Sequence, residues 1–320
     1  MKLKLLHIMM DTNNPDLIRG LDSVFECRHL DWTKYGVNSY QLQSDVLALF
    51  NSFNPDIVFI HVQSADVIHS GTAKMMAQGA VVFNWTGDVR FPLPQHYLDF
   101  GKHIHATLFT NENDVDASRN HGVKADFLQV GFDSIHFSPL GETDKKYPEI
   151  VFLGSNYPDT FPLSSYRYQM VMRLKSEFGN RFGVYGGGWN GSENGNITSY
   201  CEEGKLYRST KIAINLSHFA YRRYSSDRMY RILGSGTFCL SHNYPEIEKD
   251  FKVGDELAVW NDINELVSKI HFYLNNDAER ERIALNGCFN ARTKWTWHHF
   301  AQNLKLFAEK NGLKKTIKQK

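Results

Sequence analysis

The chain has 320 residues, which at about 150 residues per domain points to two domains rather than one. Hydrophobic residues make up 42% and charged residues 22%, with 23 glycines and 9 prolines, a composition that excludes collagen-like, low-complexity and disordered chains. The net charge of +1 hides an asymmetry: residues 1–146 hold 12 Lys and Arg against 17 Asp and Glu, and the remainder 24 against 18, so the second half is the better host for an anion.

Short β-branched or aromatic runs alternate with amphipathic stretches from the start, the pattern of βαβ units on a parallel sheet. Strands are expected at Leu3–Met10, Arg28–Asp31, Asp56–His61, Ala80–Asn84, Ala106–Thr110 and Ala125–Val130. Between them, Leu17, Leu21 and Val24 within Asp16–Phe25, and Leu42, Val46, Leu47 and Phe50 within Tyr40–Phe53, recur at helical spacing and read as crossover helices. The polar segment Phe137–Pro148 has two prolines and no periodicity, and reads as a linker. The series restarts with strands at Glu149–Gly154, Phe182–Tyr185, Lys211–Leu216 and Thr237–Ser241, so two sheets are implied. From Ile263 onward the pattern is helical, and a last helix at about Trp297–Lys310 precedes the basic tail Lys314–Lys320.

No apolar run approaches the roughly 18 residues of a membrane span, and Met1–Asp11 lacks a cleavable-leader pattern. The four cysteines, Cys27, Cys201, Cys239 and Cys288, form no C-x-x-C pair, which argues against a disulfide framework or a zinc site. A cytoplasmic protein with reduced thiols is expected.

Ligands of open parallel sheets lie at the carboxyl ends of the strands. Two such ends are glycine-rich, Gly154-Ser155-Asn156 and Gly186-Gly187-Gly188, where a missing Cβ lets backbone N–H groups approach a phosphate; ordinary turn glycines are the plainer explanation. Ser226-Asp227 opens a helix with Met229, Ile232 and Leu233 on its apolar face. Arg228 then falls in the first turn, where a guanidinium joins the helix dipole in an anion site, unless it merely pairs with a carboxylate.

The run Asp227–Gly236, followed by Tyr244–Phe251, Gly254–Leu257, Trp260-Asn261-Asp262 and the spaced Glu265-Leu266, Lys269-Ile270, Tyr273-Leu274 and Glu279-Arg280, resembles the C-terminal domain of the group 1 glycosyltransferases, closest to their spore-maturation-protein branch. The resemblance extends over about residues 205–300. It implies an α/β protein of GT-B fold: two Rossmann-like, doubly wound parallel-sheet domains facing across a cleft, with a C-terminal helix packing back toward the N-terminal domain. The expected division is 1–140 for acceptor binding, 141–148 as linker, 149–294 for nucleotide-sugar binding, and 295–320 as C-terminal helix and tail.

The resemblance further implies that Gly154, Ser155, Gly187 and Gly188 approach the donor diphosphate, that Lys211 and Arg228 neutralise it, and that the Gly234–Gly236 turn closes the nucleotide pocket. Arg231 stands where the family usually has a ribose-holding glutamate, and Glu246 or Glu248 either substitutes for it or is an exposed helix residue. The implied reaction is transfer of a sugar from a nucleoside-diphosphate sugar, as co-substrate, to an acceptor hydroxyl, with retention and without metal or other cofactor. No Asp-x-Asp-like carboxylate cluster is evident.

On the acceptor side the strand ends offer His61, the loop Trp85-Thr86-Gly87-Asp88-Val89-Arg90, and Asn111–Asp114. Asp88 is the candidate base, Trp85 can stack on a sugar, and Arg90 completes the acceptor set; alternatively Asp88 pairs with Arg90 and shapes the loop. Asn111–Asp114 reads as a helix cap, and His7 as a core or cleft-lining histidine. The aromatic-basic run His218–Tyr224 and the tail keep open a hydroxylated DNA base as acceptor, against which the acidic first half argues. Two other readings are a non-catalytic sugar-nucleotide or glycan binder, and a sugar-phosphate epimerase of similar architecture.

Overall fold

The computed structural model describes residues 2–10, 15–158 and 160–313; the basic tail falls outside them. In chain order the elements are β1 (Lys4–Met9), α1 (Pro15–Val24), β2 (Glu26–Asp31), α2 (Tyr40–Phe53), β3 (Ile57–His61), α3 (Ser70–Met76), β4 (Val81–Thr86), α4 (Gln95–Gly101), β5 (Ala106–Phe109), α5 (Glu112–Asn120) and β6 (Ala125–Phe127). There follow β7 (Ile150–Leu153), α6 (Ser164–Phe178), β8 (Phe182–Tyr185), α7 (Tyr200–Arg208), β9 (Ile212–Asn215), α8 (Asp227–Gly234), β10 (Phe238–His242), β11 (Ala258–Trp260), α9 (Ile263–Asn275), α10 (Asp277–Lys294) and α11 (Trp297–Lys310).

Both sheets are wholly parallel. The first has the order β2-β1-β3-β4-β5-β6 and the second β11-β10-β9-β7-β8. In each, the chain moves outward from its first strand, then reverses past it, so the switch points lie between β1 and β3 and between β7 and β9. The inner strands are largely apolar runs because helices cover both faces: Leu6, Ile8, Val58, Ile60 and Val82 centre the first core, and Ile150, Phe152, Val184, Ile212, Ile214 and Leu240 the second. Helix starts follow their caps. Ser39, Asn111, Ser199 and Asp262 each accept a first-turn N–H from α2, α5, α7 and α9, as short polar side chains do at that position.

The chain divides into two compact units: one runs to Gly131 and resumes at Trp297, the other is Phe132–Thr296. The split therefore falls before the expected boundary at residue 140, and 141–148 is no free linker. Within the second unit Phe137 and Tyr147 are buried, Arg208 donates to the carbonyls of His136 and Ser138, and Asp144 N–H reaches Ser209 Oγ at 2.8 Å. Those contacts tie the segment to α7. The last helix, α11, belongs to the first unit and lies on α1. Gly20 is the reason it can: a Cβ there would meet Trp297 at 2.5 Å.

Candidate functional site

In the second unit, neighbouring strands β7 and β9 end side by side, one running into Gly154-Ser155-Asn156 and the other into Leu216-Ser217-His218. This is the switch point, where open parallel sheets leave a crevice. Two arginines converge on it. From the first turn of α8, Arg228 Nε donates to Leu153 O, and its Nη1 donates to Leu216 O at 3.1 Å and Asn215 Oδ1 at 3.4 Å. From α6, Arg167 donates through Nη1 to Leu216 O and through Nη2 to Ser155 O at 2.8 Å. Both guanidinium groups lie 5.0 Å from the Phe152 ring centre.

Neither arginine pairs with a carboxylate among the described residues. Burial, and next the Arg228 charge, hold Arg167 well below the usual guanidinium range. Two like charges, with Arg167 only 1% exposed and only carbonyl dipoles around them, form a site in deficit of an anion. The Nη2 atoms of both close over Gly154, where a Cβ would meet them at 2.7 and 3.0 Å, so a larger residue would push the guanidinium groups aside. Ser226 precedes α8 without making a side-chain capping bond. His218 stands between Tyr157 and Phe161, with ring centres 5.4 and 4.7 Å away. Burial, then the charges of Arg167 and Arg228, push its pKa down to about 3, so it is neutral at physiological pH.

The glycine loops meet here as well. Gly187 N–H donates to Ser155 Oγ at 3.3 Å and Asn156 N–H to Gly187 O at 2.9 Å. Gly188 has φ +83°, and a Cβ on it would lie 2.3 Å from Asn156 O. Of the residues expected around the donor, Gly154, Ser155, Gly187, Gly188 and Arg228 thus come together.

Others do not. Lys211 precedes β9, at the sheet's amino edge, and pairs with Glu149 at 2.8 Å; a residue before a parallel strand cannot reach the ligand edge after it. Gly234 ends α8 and Gly236 follows it; a Cβ on Gly234 would meet Phe132 and one on Gly236 would meet Pro139, so both pack the unit. Arg231 is clasped by Asp227 at 2.7 Å, Glu203 at 3.0 Å and Tyr200 OH at 3.1 Å. Desolvation works against its charge, but those carboxylates outweigh it and hold the pKa above the usual range. Glu246 lies in the loop after β10 at φ +67°, its carboxylate held by Lys249 at 2.9 Å and Arg222 at 3.0 Å.

Sequence reasoning missed Arg167, whose position in a helix gave no signal apart from a charged residue on an apolar face. It also missed His218, which it grouped with the basic-aromatic run.

In the first unit, His61 ends β3, and burial, then Arg90, bring its pKa down to about 4. Trp85 is not a stacking platform. It is 2% exposed, donates to Leu128 O at 2.9 Å, and packs on Phe59, His61, Trp297 and Phe300. Asp88 follows β4 with its side chain 69% exposed and Arg90 at 3.8 Å. Arg90 donates to Gln63 and Thr86, and its backbone N–H to Asp114 Oδ2 at 3.2 Å. Asn111 caps α5 as expected. His7 is fully buried, with Nδ1 3.1 Å from that of His29. Asp22, Cys27 and His29 gather ligand atoms within 4.8 Å, but burial and the Asp22 hydrogen bond push the Cys27 thiol up, which favours the protonated thiol.

No curated protein is significantly similar to the chain. Residues 167–305 match the family described as glycosyl transferase-like. Among solved structures, a glycosyltransferase from Rickettsia africae is 10% identical, covering 98% of this chain and all of that one with TM-score 0.68. Anabaena Alr3699/HepE, solved with UDP-glucose, is 10% identical over 96% of this chain and all of its own, also at 0.68. Sucrose-phosphate synthase from Thermosynechococcus elongatus is 10% identical, over 96% and 88%, at 0.59. At such identities the structures establish the fold. No helix among the described residues is long and apolar enough to cross a membrane. With the family match spanning the arginine pair and a fold shared along nearly the whole chain, the protein is a glycosyltransferase of the GT-B fold.

Proposed function

We propose that the protein transfers a sugar from a nucleoside-diphosphate sugar to an acceptor hydroxyl, with retention of anomeric configuration and without a bound metal. The observation that carries this reading is the pair Arg167 and Arg228, buried at the β7/β9 switch point with carbonyl partners only. A diphosphate supplies the anion that the pair lacks. Support comes from Alr3699/HepE, which has the same fold and was solved with UDP-glucose. Within the group we place the chain nearest the spore-maturation-protein branch, on Asp227–Gly236 and Tyr244–Phe251. We place it in the cytoplasm, on cysteines that are all free.

In the reaction the bond from the anomeric carbon to the β-phosphate oxygen breaks, the acceptor oxygen bonds to the same face of the ring, which keeps the anomeric configuration, and the acceptor proton leaves. Negative charge grows on the departing diphosphate, and donors already fixed in place stabilise it without reorganisation. Arg228 makes that contact. Arg167 ties Ser155 O to Leu216 O, so it positions the loops after β7 and β9 while adding its own charge. Asp88 takes the acceptor proton.

The test is sugar transfer and donor hydrolysis over a panel of nucleoside-diphosphate sugars, with and without EDTA, for the parent and Arg228→Ala. We expect turnover from at least one donor, little change with EDTA, and a ten- to hundredfold fall in kcat/KM for the variant. Unchanged kcat/KM, or activity abolished by chelation and restored by magnesium or manganese, would contradict the reading.

A further inference from the structure

At the carboxyl edge of the first unit's sheet, the 62–70 loop and α4 enclose a cavity of about 190 Å³. That is roughly the liquid volume of six waters, the scale of one sugar ring. It lies beside the expected acceptor residues but includes none of them. Asn84, on β4, is only 4% exposed and lines the cavity. Its Oδ1 accepts from Val62 N–H at 3.5 Å, while its Nδ2 donates to none of the described residues. An amide donor in the lining that no protein group engages is available to an acceptor on a ligand.

The charges in the lining narrow the ligand further. No lysine or arginine lines the cavity, whereas Asp66 and Asp99 do. Asp99 is engaged by Gln95 Nε2 at 3.0 Å and Lys102 at 3.6 Å. Asp66 has no cation partner among the described residues, so its carboxylate can accept from hydroxyls and repels anions. Ser64 and Ser70 add hydroxyls, and Tyr97 with Phe100 adds an aromatic wall. Burial lowers the pKa of His96, so this lining imidazole is neutral at pH 7 and adds no positive charge. Interleaved donors and acceptors beside an apolar wall, with a net negative lining, match a polyhydroxylated, uncharged ring.

We propose that this cavity is a subsite for a neutral monosaccharide unit, the terminal sugar of the acceptor. The role as acceptor subsite rests on the glycosyl-transfer reading above; the binding itself does not. The test is saturation-transfer NMR of the full chain with methyl glycosides of glucose, galactose, mannose and N-acetylglucosamine, against glucuronate and glucose 6-phosphate. UDP is titrated in parallel.

We expect at least one neutral glycoside to saturate the protein, and both Asn84→Leu and Asp66→Ala to weaken it at least tenfold while UDP affinity is unchanged. Asp66 is on an exposed loop, so that variant decides should Asn84→Leu fail to fold. Glycoside binding with no nucleoside-diphosphate binding would support the subsite and overturn the donor reading. Absence of binding by every neutral glycoside, anionic sugars binding as tightly, or full affinity in Asp66→Ala would overturn the proposal.

Discussion

Asp88 stands just past β4 with most of its carboxylate in solvent and Arg90 too far, at 3.8 Å, for a strong pair. A group so placed is available to a substrate hydroxyl, and removing a proton acceptor costs typically 10²–10⁴-fold in rate. Asp88→Asn preserves size and most hydrogen bonds. It should leave donor affinity intact and lower transfer by that factor in a steady-state assay; parental transfer would make Asp88 a loop residue and pass the role to His61. His61 itself has a consequence for stability. The unfolded chain protonates histidine near pH 6.5, whereas native His61 resists down to about 4. The unfolded state therefore binds more protons between those values, and stability falls as pH drops through that window, by on the order of 3 kcal/mol at the limit. Urea midpoints at pH 7 and pH 4.5 should show a smaller acid loss in His61→Gln than in the parent; equal losses would place the acid sensitivity elsewhere.

At the scale of elements, α8 shows why a motif is legible while its environment is not. Its start, its apolar face and Arg228 in the first turn follow from local pattern, because capping and 3.6-residue periodicity are short-range. What Arg231 does is decided by Glu203 and Tyr200 on α7, distant in sequence, so no local pattern foretold this helix-to-helix ion pair. Glu203 is buried, and burial raises its pKa against the pull of Arg231. Arg231→Ala leaves that carboxylate without a full partner and should cost about 3–5 kcal/mol. Replacing both, as Arg231→Met with Glu203→Gln, should recover most of it. Urea midpoints measure both variants, and a mild single variant would show that the clasp is not structural. The short helices α3 and α4, seven residues each, were unreadable because two turns carry too little periodicity. In α6, Arg167 faces the interior at a core position and breaks the apolar stripe, so the residue that matters most at the site also concealed the helix. Lys211 was misplaced for the opposite reason: its closeness in sequence to β9 was clear, but only the strand's direction tells which edge it occupies.

Across the whole molecule, the two units carry the same outward-then-reversed strand order, and in each the polar residues of interest gather at the carboxyl ends of the strands. That much follows from alternating strands and helices, and the excess of basic residues in the second half agrees with an anion site there. The account stands or falls on the arginine pair. Thermal shift over a panel of nucleoside-diphosphate sugars reads it directly, since a ligand that binds only the native state raises stability by about RT ln(1 + [L]/Kd). A charge-assisted contact is worth about 1.5–3 kcal/mol. At least one donor should therefore stabilise the parent and Lys211→Ala alike, and bind Arg228→Ala roughly ten- to a hundredfold more weakly. A panel in which no nucleoside-diphosphate sugar stabilises the parent, or in which Arg228→Ala keeps its full shift, would contradict the account.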